Sequence, residues 1–110
     1  MPLVISKKAK KVFVIRNEEW LGEILGHSNF DGENWAIGDE IVFEDGMTAE
    51  IIQSEDKHFY VWSDPKESQL SEVLDLLGRV ARIDDSTKSE IRTWQELFMK
   101  IRPLASLRYA

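Results

Sequence analysis

The run Lys11-Val12-Phe13-Val14-Ile15 is β-branched and aromatic and predicts a strand. Asn17 follows as a helix cap, with Glu18 and Glu19 in the first turn, where the helix dipole favours acids. Trp20, Leu21, Ile24 and Leu25 share an apolar face at helical spacing, and Gly26 is a natural stop. Residues 27–39 mix Ser, Asn, Asp and Gly around Phe30, Trp35 and Ile37 and predict an ordered loop. At about 13 residues it is long enough to be a place for function.

Residues 40–62 alternate in short runs, 40–43, 47–52 and 58–62, parted by Asp45-Gly46 and Ser54-Glu55-Asp56-Lys57. They predict an antiparallel meander. A two-residue Asp45-Gly46 turn would set Ile41 opposite Glu50. A three-residue loop with Gly46 left-handed pairs Phe43 with Met47 and Ile41 with Ala49, and it alone keeps the apolar residues on one face. A five-residue second loop then sets Ile51 opposite Phe59 and Ala49 opposite Val61. The expected core face is Ile41, Phe43, Met47, Ala49, Ile51, Phe59 and Val61. The other face, Glu40, Val42, Thr48, Glu50, Ile52, His58, Tyr60 and Trp62, is mixed. Gly38 to Phe43 and Tyr60-Val61-Trp62 resemble the phrasing of small SH3-type barrels over about 25 residues, a likeness common to any meander.

Asp64-Pro65-Lys66-Glu67 has the form of a capping box with proline at the first helical position. Leu70, Val73, Leu74, Leu77, Val80 and Ala81 keep helical spacing, predicting a helix over 66–82, with Gly78 as its weak point and a strand at 79–83 as the rival. Asp84-Asp85-Ser86 offers a new cap, and Ile91, Trp94, Leu97, Phe98 and Ile101 continue the period until Pro103. A second helix over 87–102 follows, against a rival strand at 88–92. The expected fold is α+β: an antiparallel β-meander of about 3–4 strands packed on an α-helical hairpin, plus a short N-terminal helix. The expected core joins Phe13, Phe43, Ile51, Phe59, Leu74, Leu77, Trp94 and Phe98.

The chain has 110 residues and no cysteine, which suits a single domain over 1–110 and excludes disulfides and thiolate chemistry. No apolar run approaches the roughly 20 residues of a membrane span, so no membrane partner is expected. Residues 1–5 are too short for a signal-peptide core and the lysines follow them, so a cytoplasmic protein is expected. The formal charge is −6, but it is unevenly spread. Residues 1–16 carry five bases and no acid, residues 17–64 thirteen acids and one base, and residues 65–110 eight bases and seven acids. An acidic middle segment repels nucleic acid and speeds encounter with cations. The cluster Lys7-Lys8-Ala9-Lys10-Lys11 reads as a solvated basic segment, and direct nucleic-acid binding is not expected.

For metal, His27, Asp31, Glu33 and His58 form the sole candidate set and lack ligand spacing, so no metal or cofactor is expected. For acid–base catalysis, Glu40, Glu50, His58 and Tyr60 share the mixed face, since a histidine beside carboxylates titrates near neutrality. No nucleophile elbow, oxyanion device or phosphate loop accompanies them, so no catalytic residue is assigned. Tryptophan and tyrosine are common interface anchors. The expectation is therefore a non-catalytic binding protein using Trp35, Glu40, Glu50, His58, Tyr60 and Trp62 to recognise a basic protein. Its sharpest form is an inhibitor or immunity-type protein neutralising a cationic enzyme such as a nuclease. The rivals are a small enzyme or ligand-binding domain on the His58, Tyr60 and Glu50 face, and a structural subunit whose mixed face is covered by its own helix or by a second copy of itself, a dimer that exposed edge strands would favour.

Overall fold

The computed structural model describes residues 1–26, 36–56 and 59–101, with the backbone of 107–109. It is α+β. The strands are β1 (Leu3–Ser6), β2 (Lys11–Ile15), β3 (Glu40–Val42), β4 (Met47–Gln53), β5 (Tyr60–Trp62), β6 (Lys66–Glu67) and β7 (Leu107–Tyr109). The helices are α1 (Glu18–Gly26), α2 (Leu70–Val80), α3 (Asp85–Ser89) and α4 (Trp94–Ile101). The strand order is β5-β4-β3-β1-β2-β7, with β6 also on β4. Every pairing is antiparallel except β2 with β7. The meander is thus one wing of a larger open sheet whose centre is β1, a strand the sequence reading did not predict.

Both β1 and β2 are apolar on consecutive residues because both faces of the sheet are covered. On one face Leu3, Ile5, Val12, Val14 and Val42 meet Val73, Leu76 and Leu77 of α2 and Leu97 and Ile101 of α4. On the other, Val4, Phe13, Ile15, Ile41, Phe43, Ala49 and Ile51 meet Leu21 and Leu25 of α1. The expected single core is therefore two half-cores: Phe13, Phe43 and Ile51 lie beneath α1, while Leu77, with Leu74, Trp94 and Phe98 packed around it, lies beneath α2 and α4. Phe59 belongs to neither and is 36% exposed.

The β3–β4 hairpin has the expected register, Ile41 opposite Ala49. Phe43 N–H donates to Met47 O at 2.9 Å and Gly46 is left-handed at φ 88°. Asn17 caps α1 as expected, its Oδ1 accepting from Trp20 N–H at 2.7 Å. Three expectations fail. The β4–β5 ladder sets Ile51 opposite Trp62 and Val61 opposite Ile52, and it continues to Ser54, whose N–H donates to Phe59 O at 2.9 Å. The shift is an odd number of residues, so it exchanges the two faces of β5.

The second failure is the capping box. Lys66 and Glu67 extend the edge of β4 opposite Thr48 and Met47, and α2 starts at Leu70 behind Gln69, with no side-chain cap. The residue before a proline is biased toward extended backbone, so Asp64-Pro65 suits the approach to an edge strand as well as a helix entry. Third, α2 runs through Gly78 and ends at Val80, where Arg82 turns left-handed at φ 57°. The next segment is two helices, α3 capped by Asp84 and the separate α4; neither rival strand, at 79–83 or at 88–92, forms.

Candidate functional site

The basic run 7–11 forms the turn between β1 and β2 and the first residue of β2. Asp39, buried at the foot of β3, binds that turn: its carboxylate accepts Lys7 N–H at 3.1 Å and Ala36 N–H at 2.8 Å. Lys7 Nζ reaches Gly38 O at 3.4 Å. The start of β3 is thus fixed beside the lysines, and Glu40 emerges there.

Trp35 and His58, together with the metal candidates His27, Asp31 and Glu33, lie outside the described residues. Among the described residues no group of three or more His, Cys, Asp or Glu is placed to hold a metal ion. No described helix is long and apolar enough to cross a membrane. The other four candidate residues divide between the two sides of the sheet. Glu40 and Glu50 are direct cross-strand partners on the α2 side. Tyr60 and Trp62 pack with the α1 half-core. The mixed face expected to carry all four does not exist, because the β5 register turns the aromatics over.

On the α2 side, Glu40 opens on a cleft of about 390 Å³ lined also by Lys7, Ser68, Glu72, Asp75 and Arg79. Desolvation raises its carboxyl above the ordinary glutamate value, and Glu50 adds to this, while Lys7, Lys66 and the Thr48 hydroxyl oppose it. Thr48 is fully buried and its hydroxyl also bonds to Ser68 Oγ. The cleft holds both signs of charge around a carboxyl whose proton affinity desolvation raises.

On the α1 side, Trp62 stands edge-on to Phe43, ring centroids 5.9 Å apart. Its outer surface lines an apolar groove of about 240 Å³ with Gly22, Leu25, Gly26, Phe59, Tyr60 and Val61. The groove exists because the flank of α1 facing β5 carries glycine at both 22 and 26. A Cβ at Gly22 would lie 3.9 Å from the Trp62 ring, and one at Gly26 would meet nothing within 4 Å. Glu19 precedes Gly22 and Glu23 precedes Gly26 by one helical turn, and both are exposed, whereas Glu18 lines a separate cleft with Asn17, Glu44 and Asp45. The turn before β5 carries Glu55 and Asp56, the latter accepting from Ser54 Oγ at 2.6 Å, and Asp64 follows β5.

The glycines were not among the residues singled out from sequence. Their four-residue spacing beside the buried pair Leu21 and Leu25 is the signal that locates them. Three of the four exposed large hydrophobics among the described residues, Ile37, Ile52 and Phe59, gather at the same end of β4. Comparison with protein-family models, with curated proteins and with solved structures returned no match.

Proposed function

We infer that the chain is a non-catalytic protein-binding domain whose acidic, aromatic-bearing surface recognises a basic protein. Its sharpest form is an inhibitor or immunity-type protein that neutralises a cationic enzyme such as a nuclease. The observation that supports it is the α1–β5 groove: half-buried aromatic rings beside a helix of the acid-rich segment 17–64 whose Glu19 and Glu23 are exposed. Aromatic anchors inside a charged rim combine slow release with electrostatic steering. The binding surface is therefore drawn around Tyr60 and Trp62 with Glu19 and Glu23. Glu40 and Glu50 stand on the opposite side of the sheet.

The test is affinity capture by the full chain followed by association kinetics at increasing salt. A specific cationic partner whose association slows as salt rises supports the reading. A specific partner of acidic charge, or association indifferent to salt, overturns it. A second reading, a small enzyme or ligand-binding domain, is favoured by one observation: the Glu40 carboxyl, raised by desolvation, opens on the cleft with Lys7 and Arg79. A ligand whose binding is lost in Glu40→Gln and kept in Trp62→Phe would move that reading ahead.

A further inference from the structure

We propose that the α1–β5 groove is a slot for a single lysine or arginine side chain of the basic partner. In it the aliphatic stem lies against Trp62 and Tyr60, and the cationic head meets the carboxylates of α1. This rests on the protein-binding reading above and specifies what enters the site.

Size is the first argument. The groove, at about 240 Å³, is smaller than the roughly 300–1,000 Å³ of pockets that enclose whole small molecules. It suits one long side chain. Shape is the second. Glycine in a helix interior costs about 1 kcal/mol relative to alanine. Gly22 lies inside α1 with room for a Cβ at ordinary contact distance from Trp62, so packing does not demand glycine there. What the glycines preserve is the open channel beside the indole.

Chemistry is the third argument. The named lining is entirely apolar or aromatic, while Glu19 and Glu23 are exposed on the same helix, one turn before Gly22 and Gly26. An apolar floor beside a helix with exposed carboxylates matches a side chain with a methylene stem and a positive tip. Aromatic faces add attraction for that tip. A neutral apolar side chain would fill the floor and leave the carboxylates unanswered. An acidic one would be repelled.

The experiment compares two short glycine-spaced peptides of equal charge with the full chain at low ionic strength. One carries lysines and the other diaminobutyric acid, which has the same charge on a stem two methylenes shorter. Binding is read by tryptophan fluorescence, with Trp62→Phe assigning the signal. The lysine peptide is expected to bind about tenfold tighter, the value of two buried methylenes. Gly22→Leu fills the slot, changes no charge and favours helix, so it should abolish the difference while retaining charge-driven binding. Gly26→Leu serves the same purpose should the first variant fold poorly by circular dichroism.

Equal affinity of the two peptides for the unaltered chain overturns the slot and leaves the acidic-surface reading standing. A norleucine peptide binding as tightly as the lysine peptide overturns the cationic occupant. Binding by neither basic peptide overturns the slot and counts against the acidic surface as well.

Discussion

At Gly46 two constraints meet. The three-residue loop of the β3–β4 hairpin needs a left-handed residue there, and a Cβ would lie 2.6 Å from Trp94 Nε1. Gly46→Ala therefore combines backbone strain with displacement of a partly buried indole, and about 2 kcal/mol or more of stability should be lost. A denaturant midpoint checks this, and a shifted tryptophan emission would show the indole moving. Asp39 is 2% exposed and accepts two backbone N–H groups from different segments. Asp39→Ala leaves both donors without that acceptor and should cost about 2–3 kcal/mol by the same measurement. Glu40 has the opposite sign. Its carboxyl is raised chiefly by desolvation, so the folded state holds the proton more tightly than the unfolded chain. That contribution is fully present below the unfolded value and is lost as pH rises through the folded one. Glu40→Gln should therefore be more stable than the unaltered chain at pH 7, with the advantage shrinking as pH falls toward about 4. Urea midpoints across that range would show an advantage independent of pH if the carboxyl were in fact unperturbed.

Among the elements, α2 shows how local signals lose to sheet pairing. Asp64, Pro65 and Glu67 spell a helix start, yet the free edge of β4 takes Lys66 and Glu67 into a ladder. Asp64→Ala should consequently leave the melting temperature unchanged within error, since Asp64 caps no helix. At the other end Arg82 stands left-handed at φ 57°, a strained conformation for any residue with a Cβ. Arg82→Gly should raise stability by up to about 1 kcal/mol, and a lowered midpoint would mean the side chain contributes more than the strain costs. The β3–β4 hairpin was legible in the sequence because turn chemistry and apolar alternation point to one register. The β5 register was not legible, because its loop fits more than one pairing. The choice rests on Trp62 reaching Phe43 beneath α1, a helix nearly forty residues away in sequence. The β1 strand was hidden for a related reason: a short apolar run buried on both faces has no period to read. The acids and aromatics of the candidate site were visible as residue types, but their division between two faces depends on that one register.

At the scale of the whole molecule, the sheet separates two surfaces that the sequence presents as one. The α1 side carries the aromatic groove with Glu19 and Glu23, and the α2 side carries Glu40 and Glu50 with a cleft of mixed charge. Both derive from the acidic middle segment, so net charge cannot say which side meets a cationic partner, whereas mutations on each side can. Glu19 and Glu23 are exposed, and reversing them should leave the fold intact. If the partner docks on the α1 side, Glu19→Lys with Glu23→Lys should slow association several-fold at low salt, and the penalty should fade as salt rises. Trp62→Ala should instead speed dissociation, weakening binding by about 2 kcal/mol or more. Because Trp62 also packs on Phe43, Trp62→Phe is the control that keeps a ring there while removing the indole. Glu50→Lys, exposed on the far side, should change association little. Surface-immobilised kinetics of these variants against one captured partner make the comparison direct. If Glu50→Lys slows association and the α1 pair does not, the contact lies on the α2 side, and Glu40 with its cleft becomes the site to pursue.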